Sequence, residues 1–194
     1  MNSLYIVIPA YNEEANITKT IEDWYPVIES HNSEGSSRLV VVNDGSKDNT
    51  YELLLQLAKT RPLLIPLTKK NGGHGSAVIF GYKYALESCA NYIFQTDSDG
   101  QTDPNEFEGF WKLREQYDAV FGNRNRREDG KSRIFVEKTL CMILRLYFRV
   151  RIPDSNAPFR LMNADYLSEY FPKLPSENYN LPNVMITTFG VYYR

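Results

Sequence analysis

The chain has 194 residues, of which 42% are hydrophobic and 24% charged, with ten Phe and fourteen Tyr. This is enough apolar material for one buried core, and it excludes a disordered tail or a disulfide-stapled miniprotein. A net charge of −2 provides no broad basic field, so non-specific nucleic-acid binding is excluded and an anionic ligand must be met by local groups.

In chain order, short apolar runs alternate with helical patterns, the signature of strand-helix-strand units and a mostly parallel sheet. Strands are predicted at Leu4 to Pro9, Arg38 to Asn43, Leu63 to Leu67, Tyr92 to Thr96 and Ala119 to Gly122. The first helix is predicted over Glu13 to Glu29, with Ile17, Ile21, Trp24 and Ile28 on one face. Asp48-Asn49-Thr50 caps a second that runs to Ala58, and a third starts near Gly75. A fourth follows Pro104, with Phe107, Phe110, Trp111 and Leu113 on one side.

Beyond Gly122 the character changes. A charged stretch over 124–133 precedes an amphipathic helix predicted over 134–150, whose bland reading is a cover for the core. Its sharper reading is peripheral contact with a membrane surface through Lys138, Arg145 and Arg149. The N-terminus lacks the pattern of a signal peptide, and no apolar run reaches transmembrane length. The abrupt end after an aromatic stretch suggests truncation at the C-terminus. Cys89 and Cys141 form no CxxC, which suits a reducing cytosolic setting.

In an open parallel sheet, ligands gather at the carboxyl ends of the strands. Three strands end in polar segments there: Pro9-Ala10-Tyr11-Asn12-Glu13-Glu14, Asn43-Asp44-Gly45-Ser46 and Asp97-Ser98-Asp99-Gly100. Asp44 has the chemistry to accept a hydrogen bond from a nucleobase, and the Tyr11 ring could flank that base; the plain alternative is an Asx turn. Asn71-Gly72-Gly73-His74-Gly75 opens a helix, where small residues let backbone approach a phosphate, or simply turn the chain. It is neither a P-loop nor a dehydrogenase fingerprint. Asp97 and Asp99, one residue apart, repel unless a cation such as Mg2+ or Mn2+ shares them with phosphate and water.

Together these segments resemble the family 2 glycosyltransferases in order and spacing over roughly the first 125 residues. The resemblance implies a single GT-A domain. Residues 1–123 form a Rossmann-like nucleotide-sugar half, and residues 124–194 an acceptor-side half. It implies that Pro9, Tyr11, Glu13 and Asp44 hold base and ribose, and that Asn71, Gly73 and Gly75 line the phosphate side. Asp97 and Asp99 would hold the metal, with Asp99 the closest ligand. Gly122-Asn123-Arg124 looks like the family's Gly-Ser-Arg, placing Arg124 near acceptor or diphosphate.

Asp154 to Arg160 is similar to a segment of the dolichol- and polyprenyl-phosphate sugar transferases, with Pro158 in place of a glycine. Its plain alternative is a turn capped by Asp154, with Arg160 paired at the surface. A saccharide hydroxyl acceptor would need a general base, for which Asp154 and Glu177 are candidates, whereas a lipid phosphate is already ionised. The favoured expectation is therefore inverting transfer from a UDP- or GDP-sugar to polyprenyl phosphate at the cytoplasmic face of a membrane. Transfer to a saccharide hydroxyl is the alternative. A sugar nucleotidyltransferase would show an Arg-containing Gly-rich loop after the first strand, where Tyr11-Asn12-Glu13-Glu14 stands instead. A non-catalytic nucleotide-sugar-binding module would lack a metal ligand, yet Asp97 and Asp99 are both present.

Overall fold

A computed structural model of the chain describes residues 2–33, 35–100, 102–123, 154–176 and 179–193, with isolated residues between 139 and 152. Arg124, Glu177 and most of the helix predicted over 134–150 lie outside the described residues.

Six strands form one sheet: β1 (Leu4–Ala10), β2 (Arg38–Asn43), β3 (Leu64–Thr68), β4 (Tyr92–Gln95), β5 (Ala119–Phe121) and β6 (Arg160–Asn163). Their order is β3-β2-β1-β4-β6-β5. The first four pair in parallel, with β1 between β2 and β4, while β6 runs antiparallel to both β4 and β5. The order reverses at β1, so the crevice between the carboxyl ends of β1 and β4 is the switch point where such sheets take ligands.

The helices are α1 (Ile17–Ser30), α2 (Thr50–Ala58), α3 (His74–Glu87), α4 (Phe107–Trp111), α5 (Ala164–Tyr170) and α6 (Pro182–Tyr192). Period-two alternation along the strands divides the core between the two faces. Leu4, Ile6 and Ile8 of β1 pack with Ile17, Ile21 and Trp24 of α1; Tyr5 and Val7 pack with Ala77, Val78 and Tyr82 of α3. On the first face Phe94 is the hub of an aromatic cluster, with ring centroids 4.7 Å from Phe159 and 4.9 Å from Phe107, both edge-on. Such offset geometry suits ring quadrupoles.

Three expectations need correction. The first helix begins at Ile17, not Glu13, because Asn12 adopts a left-handed φ of 55° and residues 12–14 form a loop stitched to its neighbour. The fourth helix is only five residues long and is preceded by a 3-10 turn over Pro104–Glu106, capped by the Asp103 side chain. Strand β6 was not anticipated: Arg-Leu-Met-Asn is short and carries no β-branched residue, so its strand form comes from pairing on both sides.

Helix α3 lies close against the sheet at Gly81, where a Cβ would stand 2.4 Å from Val7 Cγ1 and 3.2 Å from Val42 Cγ2. Both neighbours are stiff β-branched side chains rooted in buried strands. Gly81→Ala is therefore expected to destabilise the fold by about 1–3 kcal/mol despite alanine's better helix propensity, read from urea denaturation.

Candidate active site

The loops after β1 and β2 interlock. Asn12 N–H donates to Ser46 Oγ at 3.0 Å, and Lys47 N–H donates back to Asn12 Oδ1 at 2.8 Å. Glu13 N–H reaches Thr50 Oγ1 at 2.8 Å, and Glu14 N–H reaches Asp48 Oδ2 at 3.1 Å. In return Asn49 N–H donates to Glu14 Oε2 at 2.8 Å. Most polar residues of these two segments therefore fix loop geometry and leave Tyr11 standing exposed above the cleft.

Asp44 is 2% exposed. Its carboxylate accepts from Lys69 Nζ at 2.8 Å, from Gly72 N–H at 3.0 Å and from Gly73 N–H at 2.7 Å. Asn71 Nδ2 donates to the Asp44 carbonyl at 2.9 Å. Two amides of the glycine loop are thus aimed at Asp44, where a phosphate had been expected. Gly72 N–H also reaches the second oxygen at 3.2 Å, so the three donors make four contacts and engage about all four lone-pair sites of the carboxylate. Gly75 also has a different reason from the one expected: a Cβ there would meet the Tyr179 carbonyl oxygen at 2.4 Å and Asn180 Cα at 2.6 Å. Its smallness admits a chain segment, not a ligand.

A cavity of about 320 Å³ opens between these loops, lined by Pro9, Ala10, Tyr11, Glu13, Asp44, Asn71, Gly73, His74, Ala77 and Ser98. It brings together six of the residues expected at the donor; Gly75 and Asp97 are not in its lining. Ala10, His74, Ala77 and Ser98 are further lining residues, of which all but Ala77 stand within the motif segments already singled out. Lys19, Asp23, Gly100, Thr102, Asp103, Pro104 and Asn105 line a larger depression of about 430 Å³, which contains none of the expected residues.

After β4 the chain turns through Asp97, Ser98 and Asp99 to Gly100, whose φ of 72° favours glycine. Ser98 is buried, Asp99 is exposed and Asp97 is partly exposed, with Asp97 Oδ1 3.8 Å from His74 Nε2. Among the described residues no group of three or more His, Cys, Asp or Glu could enclose a metal. The donor set instead fits a hard cation that takes few protein oxygens and completes its shell with phosphate and water.

On the other side of β4 lies a buried polar cluster. Arg160 is fully buried, so its pairing is not at the surface. It donates through Nε to Ala157 O at 3.0 Å and through Nη1 to Asn183 O and Thr187 Oγ1, each at 3.3 Å. The guanidinium sits over the Phe121 ring, 4.9 Å from its centroid. Burial pulls Arg160 below its usual range, while Tyr82, Tyr166, Asp154 and Asp97 oppose that pull. Burial pushes the Tyr82 phenol upward, Arg160 works against it and Asp97 adds to it. Tyr82 donates to Gln95 Oε1, and Gln95 faces Arg160 in the β4–β6 register. Gln95 Nε2 and Ser155 Oγ are buried with no hydrogen-bond partner among the described residues. Asp154 is 4% exposed and accepts from Asn156 N–H at 3.2 Å, the turn-capping arrangement.

The profile described as Glycosyl transferase family 2 matches residues 5–171, and the chain belongs to that family. Its fold is GT-A: it superposes on S. aureus TarS 1-349 with a TM-score of 0.62 at 16% identity, covering 98% of this chain and 55% of that one. It also superposes on glucosyl-3-phosphoglycerate synthase from Mycobacterium tuberculosis in complex with Mn2+ and UDP-glucose, with a TM-score of 0.61 at 18% identity, covering 86% of this chain and 58% of that one. Within the family it resembles the dolichyl-phosphate group. It is 41% identical over 182 residues to a dolichyl-phosphate beta-glucosyltransferase of Trichomonas vaginalis, covering 86% of this chain and 53% of the relative. It is 34% identical to the uncharacterized glycosyltransferase YkcC of Bacillus subtilis, covering 84% of this chain and 50% of the relative. The chain thus spans about half the length of these curated relatives.

Two outcomes follow for the loop network. Removing the buried carboxylate in Asp44→Ala strands Lys69 and two amides, and is expected to cost about 3–5 kcal/mol in chemical denaturation. Burial alone would raise the Asp48 carboxyl, but bonds from Thr50 Oγ1, Thr50 N–H and Glu14 N–H outweigh it and hold its pKa below the ordinary 3.8. A lowered pKa gives stability that is present above the unfolded value and is lost as pH falls through the folded one. Asp48→Asn should therefore lower Tm at neutral pH, and the difference from wild type should shrink below about pH 4.

Proposed function

We propose that the chain is the catalytic part of an inverting glycosyltransferase that moves a sugar from a nucleoside-diphosphate sugar to polyprenyl phosphate. The observation that carries this is the adjacency of two sites. A cavity of about 320 Å³ flanked by Tyr11, Glu13 and Asp44 adjoins the carboxylate turn through His74 and Ser98. The family assignment and the dolichyl-phosphate names of relatives support the acceptor. The Mn2+ and UDP-glucose bound by a structural neighbour support the donor and metal.

In this reading Tyr11 flanks the base and Asp44 lies at its edge, with Pro9 and Glu13 beside the ribose. Asp97 and Asp99 would hold Mg2+ or Mn2+, Asp99 as the principal ligand, and the ion would supply charge stabilisation for the departing nucleoside diphosphate. An ionised oxygen of the acceptor phosphate attacks the anomeric carbon from the opposite face as the bond to the diphosphate breaks, and the nucleotide leaves with the bonding pair. No proton has to be removed, so no general base is required. This suits Asp154, which is buried and engaged in its turn. Arg124 is assigned to the acceptor or diphosphate, whereas Arg160 supports the acceptor side from within.

Among the described residues no helix is long and apolar enough to cross a membrane. Met142 and Leu146 are 56% and 70% exposed, and at helical spacing residues four apart share a face. Their exposure supports the reading of 134–150 as a segment lying at the cytoplasmic face of a membrane.

Radiolabelled UDP- and GDP-sugars offered with a short polyprenyl phosphate or with free saccharides test the proposal. Label should enter the lipid product, and Asp99→Ala should lower turnover by about 100-fold or more. Label entering only saccharides would overturn the acceptor. Release of pyrophosphate from UTP and a sugar 1-phosphate would overturn the reaction class.

A further inference from the structure

The Asp97-Ser98-Asp99 turn has no helix or strand of its own, so its shape depends on what grips its backbone. One grip comes from 78 residues earlier: Thr20 Oγ1, on α1, donates to the Ser98 carbonyl at 2.9 Å in a buried setting. Ser98 is the residue between the two carboxylates. Thr20 is 2% exposed and lies on the same face of α1 as Ile17, Ile21 and Trp24, all buried against the sheet. In such an apolar stripe valine would match threonine in shape without a polar atom to satisfy, so the hydroxyl needs a reason.

A threonine hydroxyl in a helix ordinarily bonds back to the carbonyl four residues earlier. Here that acceptor, Asn16 O, lies farther from Oγ1 at 3.1 Å and already receives the Thr20 N–H at 2.9 Å. The single hydroxyl hydrogen is therefore better used at Ser98. Thr96 Oγ1, which donates to Thr102 Oγ1 at 2.8 Å, closes the turn across its base, but it does not reach the residue between the carboxylates.

We propose that Thr20 is a positioning residue for the metal-binding turn, holding Ser98 so that Asp97 and Asp99 present their oxygens together; this rests on the donor-site reading of those two residues. Outer groups that orient metal ligands typically change metal affinity 10–100-fold when lost.

The test is thermal-shift titration of the purified chain with UDP or GDP and increasing Mn2+. In wild type, the nucleotide should raise Tm without metal and raise it further with Mn2+. Thr20→Val should keep the metal-free shift and move the Mn2+ midpoint upward by about tenfold. Thr20→Ser, which restores the hydroxyl, should stay within about twofold of wild type. Thr188→Val deletes an equally buried hydroxyl bonded to Val184 O on α6, and should lower Tm by a few degrees without moving the midpoint. An unchanged midpoint in Thr20→Val, or an equal displacement in Thr188→Val, overturns the positioning role. If Thr20→Val does not fold, Thr20→Ala is read by the same criterion. A wild type that answers no nucleotide at any Mn2+ concentration overturns the donor-site reading itself, and the inference with it.

Discussion

Two adjacent parallel strands, β1 and β2, end side by side in loops that backbone pairing alone does not shape. The site depends on the reciprocal hydrogen bonds that sew these loops together: Asn12 with Ser46 and Lys47, Glu13 with Thr50, and Glu14 with Asp48 and Asn49. Each bond is worth only about 1 kcal/mol net, but together they fix both loop backbones without a ligand. Asp44 extends the network to a third loop, because its buried carboxylate gathers Lys69, Gly72 and Gly73. These bonds within the protein hold the cavity wall in shape, and a wall so held lowers the ordering cost of binding a ligand there.

The C-terminal described residues are joined to this frame by a different kind of contact. Arg160 begins β6, and its guanidinium reaches the carbonyl of Ala157 and the first turns of α6 through Asn183 and Thr187. The chain just before α6 presses Tyr179 and Asn180 onto Gly75 at the start of α3. Tyr82, on that same helix, touches Gln95 of β4 and lies 3.4 Å from Asn183. The segment before α6 therefore packs on Gly75, while α6 itself meets Tyr82 of α3 and Arg160 of β6, so one buried polar seam joins these elements. A buried guanidinium is costly to desolvate, and its bonds to carbonyls and the ring of Phe121 offset that cost.

The amino-acid sequence by itself determined the four parallel strands, most of the helices between them and the polar strand ends that bring Tyr11, Glu13, Asp44 and Asn71 to one cavity, because alternating apolar periods and polar strand ends are local signals. Motif order carried the family as well. It could not tell which motif residues turn to their own chain: Asn12 and Glu14 stand in the polar segment after β1 and Gly75 reads as a phosphate-side residue, yet the first two bind the loop after β2 and the last makes room for Tyr179 and Asn180. Strand β6, the burial of Arg160 and the grip of Thr20 on Ser98 were decided only in three dimensions. Each joins residues dozens of positions apart, or depends on neighbours on both sides, and side-chain period and spacing do not encode such long-range pairings.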